Sequence, residues 1–155
     1  MELEDIRLFR EAMSQLQRNL SWQWKSDATC CGITVAQCHV LLEVGKSGGI
    51  TLVNLASILG LDTSTLSRTI EAMFQAGIVE RKANPEDRRY LNITLTKQGK
   101  EVYDSMNDTL DRYYCEIFAG IPPDKHRQVV ESINLLANAM NNFNSSKCCG
   151  EELAK

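Results

Sequence analysis

The chain has 155 residues, six cysteines, and 17 Lys+Arg against 20 Asp+Glu, for a formal net charge of −3. One domain, or one domain with terminal extensions, is the expectation at that length, and 43% hydrophobic with 24% charged residues excludes wholesale disorder. No apolar run reaches the roughly 18–20 residues of a membrane span, and the acidic start Met1-Glu2-Leu3-Glu4-Asp5 has no apolar core for a secretory signal. These features predict a soluble, cytoplasmic protein without a membrane partner. Averaged over the whole chain, the charge also argues against nucleic acid, whose phosphates need cations.

In chain order, Ile6, Phe9, Met13, Leu16 and Leu20 recur at helical spacing, predicting an amphipathic helix to about Lys25, closed by Trp22 and Trp24. Asp27-Ala28-Thr29-Cys30-Cys31-Gly32 reads as a loop. Thr34 is placed to cap a second helix through about Val44, ended by Gly45 and Ser47-Gly48-Gly49. Leu52, Leu55, Ala56 and Leu59 form the apolar face of a short helix that stops at Gly60. Asp62 or Thr63 caps the next one, which turns Leu66, Ile70, Met73 and Phe74 inward and ends at Gly77. Two short helices around a glycine turn form a helix-turn-helix pattern.

The period then changes from helical to alternating. Residues 78–82 and 90–95 read as strands, with the polar loop Ala83-Asn84-Pro85-Glu86-Asp87-Arg88-Arg89 between them. Two strands around a basic loop, directly after a helix-turn-helix, make a winged helix. Thr96 caps a long helix to about Phe118, carrying Val102, Met106, Leu110, Tyr113 and Ile117 on one side. Pro122-Pro123 break it, and a last helix runs from about Asp124 to Phe143. The tail 144–155 is polar, contains Cys148-Cys149-Gly150, has no periodicity and is expected to be mobile.

The expected fold is therefore mainly α with a small β wing. A winged helix-turn-helix lobe (33–96) is flanked by helices (1–32 and 97–143) whose stripes pack within one chain or across a dimer. Several segments carry a resemblance: Ile33-Thr34-Val35-Ala36-Gln37, Leu55-Ala56, Leu66-Ser67-Arg68-Thr69-Ile70, Gly77-Ile78-Val79-Glu80-Arg81, Pro85-Glu86-Asp87-Arg88-Arg89 and Leu95-Thr96-Lys97-Gln98-Gly99. Together, over about residues 1–143, the chain resembles the MarR family of bacterial transcriptional regulators. The resemblance implies an obligate homodimer, usually a repressor on a pseudo-palindromic double-stranded DNA operator, released by a small ligand, an oxidant or a metal.

Split by segment, the charge tells a different story from its average. Residues 62–100 hold seven basic and five acidic residues, a net of +2, whereas the remainder holds ten basic and fifteen acidic, a net of −5. Ser64, Thr65 and Ser67 stand where hydroxyls and helix N–H groups meet phosphates or base edges, and Arg68 has the reach for a bidentate contact with guanine. In the wing, the resemblance implies that Asp87 braces Arg89 for entry into the minor groove. Arg88 is then a phosphate contact or a partner of its acidic neighbours. The competing reading of this loop is a solvated charged hairpin.

The cysteines form two adjacent pairs, Cys30-Cys31 and Cys148-Cys149, with Cys38 and Cys115 single. Vicinal thiols bridge each other poorly, and clustered thiols in a reducing compartment suit soft ions. Cys30, Cys31, Cys148 and Cys149 are therefore candidate ligands for an effector: As(III), Sb(III), Zn, Cd or Cu(I). Beyond such an ion, the sequence assigns no cofactor. Redox or electrophile sensing, and an aromatic ligand in the usual family cleft, are the alternatives. The hydroperoxide-sensing members carry their reactive cysteine in the first helix and this chain has none there. The zinc-sensing members resemble it at Cys30 but use a histidine pair on the long helix, which this chain lacks.

Cys38 and Cys115 read as core, and His39 as surface or interface. His126 gives no functional signal. A thiol-disulfide enzyme is the remote alternative, because no Cys-x-x-Cys stands in a βαβ context and no nucleophile–histidine spacing or phosphate-cradling loop is present.

Overall fold

A computed structural model describes the backbone of residues 2–83 and 91–148, and the side chains of these except 25–31 and 144–148. Among the described residues, six helices and three strands follow in the order α1 (Leu3–Cys31), α2 (Val35–Ser47), β1 (Ile50–Thr51), α3 (Leu52–Leu59), α4 (Thr63–Gln75), β2 (Val79–Ala83), β3 (Leu91–Leu95), α5 (Lys97–Ala119) and α6 (His126–Cys148). A 3-10 turn at Pro123–Lys125 leads into α6. The chain divides into two compact units, Met1–Thr109 and Leu110–Lys155. No helix among the described residues is long and apolar enough to cross a membrane.

The α2 start and the boundaries between α3 and α4 have local causes. Thr34 closes a capping box: its hydroxyl oxygen accepts from the Gln37 amide (3.2 Å) while the Gln37 side chain accepts from the Thr34 amide (2.8 Å). Thr51 caps α3 and Asp62 caps α4. Between them Gly60, at φ 62, ends α3 in the left-handed conformation that a side chain resists, and this gives the tight turn between the two helices. The core lies among α2, α3, α4 and the sheet. Leu41, Leu55, Leu66, Ile70 and Met73 are fully buried there, with Val79 and Ile93 from the strands and Met106 from α5.

The sheet has the order β1-β3-β2 and is antiparallel throughout. Val79 pairs with Leu95 and Ala83 with Leu91, so β2 and β3 are the two arms that hold residues 84–90, while Ile50 pairs with Ile93 on the other edge. The two-residue strand β1 was not expected. Ile50-Thr51 is too short to show alternation, and its strand character comes from pairing with a segment more than forty residues away.

α5 begins on a second side-chain cap. Thr96 accepts from the Gly99 amide (3.0 Å) and donates to the Gly77 carbonyl (2.6 Å). A Cβ at Gly99 would overlap the Ile78 carbonyl. The Leu-Thr-x-x-Gly run is therefore a packing device. Threonine ties the helix start to the end of the α4–β2 turn, and glycine lets the two backbones touch.

Several sequence expectations are corrected. The loop predicted at 27–32 is helix as far as Cys31. Asp27 to Cys31 contain neither glycine nor proline, and Gly32, at φ 67, is the first residue that ends the helix. α6 likewise runs to Cys148, five residues into the stretch read as aperiodic, since no breaker precedes Gly150. Phe74, expected inward, is 41% exposed at the margin of the α4 stripe. Cys115, read as core, is exposed, because it falls off the face marked by Met106, Leu110, Tyr113 and Ile117. Cys38 is in the core as expected, fully buried on α2.

Candidate nucleic-acid interface

Helix α4 is apolar on one side and hydroxyl-bearing on the other. Leu66, Ile70 and Met73 turn into the core at intervals of four and three residues. Ser64, Thr65, Ser67 and Arg68 are thereby left on the outer surface near the helix start, and all four are exposed. The start is held by Asp62, whose carboxylate accepts from the Ser64 hydroxyl (2.5 Å) and from the Thr65 amide (2.8 Å). These bonds, the Ser64 hydroxyl foremost, hold the Asp62 carboxyl well below the usual carboxylate range, so it stays ionised at neutral pH. Ser64 is thus oriented by the cap before any ligand arrives.

The far end of α4 is tied to the wing. Arg81 on β2 reaches the Glu71 carboxylate at 2.8 Å, and its guanidinium lies 5.2 Å from the centre of the Phe74 ring. Gln75 donates to the same carboxylate at 2.9 Å. With Gln75 first and Arg81 second, the Glu71 carboxyl is held below its ordinary value. Lys82 is 2.7 Å from Glu80 on its own strand. Among the described residues, Arg81 and Lys82 are thus engaged in ion pairs within the lobe.

Sequence reasoning missed the Glu71–Arg81 pair, because ten residues and a turn separate its members. The signal was indirect: Glu71 lies off the apolar stripe of α4, and Arg81, two residues on from the buried Val79, shares its face of β2. A shallow groove of about 310 Å³ follows the junction of helix and wing, lined by Leu52, Ser67, Ile70, Arg81, Leu91 and Ile93.

The wing residues Asp87, Arg88 and Arg89 lie outside the described residues, between the paired ends Ala83 and Leu91. Of the paired cysteines, Cys30 and Cys31 end α1 and Cys148 ends α6. Their side chains, and all of Cys149, also lie outside the described residues. Among the described residues no group of three or more His, Cys, Asp or Glu side chains is arranged to hold a metal. His39 is half-buried, its ring 4.5 Å from that of Trp24. The His126 ring nitrogen Nε2 is 2.9 Å from the Ile121 carbonyl, and its ring stands edge-on to Phe118, which gives it a structural role at the α6 start.

The lobe that carries this interface, residues 33–91, matches the model of the MarR family. This winged-helix lobe is of the MarR family. Among its relatives is YdgJ of Bacillus subtilis, an uncharacterised HTH-type transcriptional regulator, 25% identical over 114 residues that span 74% of this chain and 70% of that one. A MarR family protein from Bacillus stearothermophilus has the same fold, with a TM-score of 0.82 over 91% of this chain and 99% of that one at 17% identity. FabT of Streptococcus pneumoniae, solved in complex with DNA, superposes with a TM-score of 0.77 over 89% and 99% of the two chains at 16% identity. The MarR assignment makes this chain a winged-helix transcriptional regulator and not an enzyme.

Proposed function

We propose that the protein is a homodimeric repressor that reads a pseudo-palindromic operator in double-stranded DNA. Ser64, Thr65, Ser67 and Arg68 contact the major groove and its phosphates, and Asp87, Arg88 and Arg89 act in the wing. The observation that carries this reading is the exposed polar start of α4, pre-formed by the Asp62 cap and braced against the wing by Glu71 and Arg81. Helix-turn-helix proteins present the start of the recognition helix in this way.

Dimerisation is supported by exposed apolar side chains among the described residues. On α1, Ile6, Phe9 and Leu16 are exposed, and on α6 Val130, Ile133 and Met140 are exposed. Such stripes on long helices are what a second copy of the chain would bury. Residues 1–32 and 97–143 then form the dimerisation part, 33–96 the reading lobe, and 144–155 a cysteine-bearing tail.

The effector in this proposal is a thiophilic ion held by Cys30, Cys31, Cys148 and Cys149. The support is compositional: two vicinal thiol pairs supply soft donors, and they occur where α1 and α6 end. Mobility-shift titration of an operator fragment with the reduced protein tests the DNA reading. Addition of As(III), Sb(III), Zn, Cd or Cu(I) tests the effector. Operator release by one of these ions, lost when the four cysteines are replaced by serine, is the expected result. A response unchanged by those replacements overturns the cysteine assignment and leaves the DNA reading intact.

A further inference from the structure

The exposed apolar side chains of α1 have charged neighbours of one sign. Beside Ile6, Phe9 and Leu16 the helix carries Arg7, Arg10 and Arg18, with Ser14 midway between the last two. Steps of three and four residues set these four polar side chains on one strip of the helix surface. They line a shallow depression of about 410 Å³ in which Glu11 supplies the single carboxylate. All three arginines are exposed, and none has an ion-pair partner among the described residues.

A strip of the opposite sign runs along α5. Glu101, Asp104 and Asp108 recur at intervals of three and four residues, and all are exposed. They lie on the side of α5 away from Met106, which is buried in the lobe. Glu101 and Asp104 have no ion-pair partner among the described residues. The described ion pairs of the chain do not join α1 to α5.

We infer that the two strips form a pairing code between copies of this chain, in which the α1 arginines of one protomer meet the α5 carboxylates of the other. The inference rests on the homodimer reading above and adds what selects the partner. Three arguments favour a second copy over a different protein. A two-fold axis apposes surfaces reciprocally, so a chain that holds both strips makes each contact twice. The arginine strip borders the apolar stripe of α1, so burial of that stripe brings the arginines to the rim, where charges set partner choice more than affinity. The residues outside 62–100 carry a net of −5, so two such bodies repel unless cations are placed against carboxylates. A chain equally acidic but without the arginine strip is thereby rejected.

Sedimentation equilibrium of the full-length protein tests the code with two charge reversals. One carries Arg7→Glu, Arg10→Glu and Arg18→Glu, and the other carries Glu101→Lys, Asp104→Lys and Asp108→Lys. All six positions are exposed, and a thermal melt followed by circular dichroism checks that each variant folds. Each variant alone is expected to dimerise roughly tenfold or more weakly than the wild type, because every one of these contacts becomes like-charged. An equimolar mixture is expected to form a heterodimer of about wild-type affinity. In it the reversed α1 meets the reversed α5, and the two native strips meet each other. Damage to the fold is not repaired by mixing.

Dimerisation of both variants at wild-type strength, or a mixture as weak as its components, overturns the code and leaves the homodimer standing. A monomeric wild type overturns the homodimer reading and the code with it. If a triple variant does not melt cooperatively, Arg10→Glu and Asp104→Lys are judged by the same criteria. Each is then expected to weaken dimerisation by about threefold alone and to recover on mixing.

Discussion

At the scale of single residues, the proposed interface separates groups assigned to DNA from groups that hold them in place. Arg89→Ala is expected to abolish operator binding in a mobility-shift assay while sedimentation still gives a folded protein of unchanged mass. Wild-type affinity at physiological salt would remove the wing from the reading head. Asp62 is of the second kind. Its folded carboxyl is held below the ordinary value of 3.8, chiefly by Ser64. A depressed pKa stabilises the fold in full above the ordinary carboxylate range and loses that contribution as pH falls below it. Asp62→Asn keeps an acceptor for the Thr65 amide without titrating, so its thermal midpoint is expected to fall less than the wild type's between about pH 5 and pH 2. Parallel pH profiles would mean that Asp62 does not couple to stability.

At the scale of elements, what was legible depended on how local its cause was. The α2 start, the α3 end and the α4 start are readable because Thr34, Gly60 and Asp62 act within four residues of themselves, whereas Gly45, expected to end α2, lies inside a helix that runs to Ser47. α1 and α6 were read too short, because cysteine, serine and asparagine suggested loops when only glycine or proline stops an established helix. Strand β1 and the Glu71–Arg81 pair were invisible because their partners are distant in sequence. That pair gives a test of its own. If Arg81 were a phosphate contact, Glu71→Gln would free it and tighten operator binding, and Arg81→Lys would be tolerated. As a brace between α4 and the wing, both substitutions are expected to weaken binding by about twofold to fivefold, the modest worth of a half-exposed pair. The α5 start is a stiffer joint: Gly99→Ala forces a Cβ onto the Ile78 carbonyl and is expected to cost about 2–3 kcal/mol in denaturant unfolding.

At the scale of the whole molecule, the charge pattern sets how binding responds to salt. Of the seven basic residues in 62–100, Arg81 is held by Glu71 and Lys82 by Glu80, and Lys97 and Lys100 line a groove on the opposite face of the wing sheet. The proposed reading assigns Arg68, Arg88 and Arg89 to DNA, three per protomer and six in the proposed dimer. Each phosphate neutralised by a cation releases condensed counterions, so six contacts predict a slope of log affinity against log salt of about −5. The acidic remainder, at −5 per chain, repels the duplex everywhere else and leaves little non-specific binding. A salt series with an operator fragment and a scrambled control measures both quantities. A slope steeper than about −8 would require more cations at the phosphates than these three arginines provide, with Lys97 and Lys100 the first to reassign. A slope near the expected value, nearly halved in a heterodimer with one Arg68→Ala, Arg88→Ala, Arg89→Ala protomer, would show that the two lobes share the electrostatic work equally.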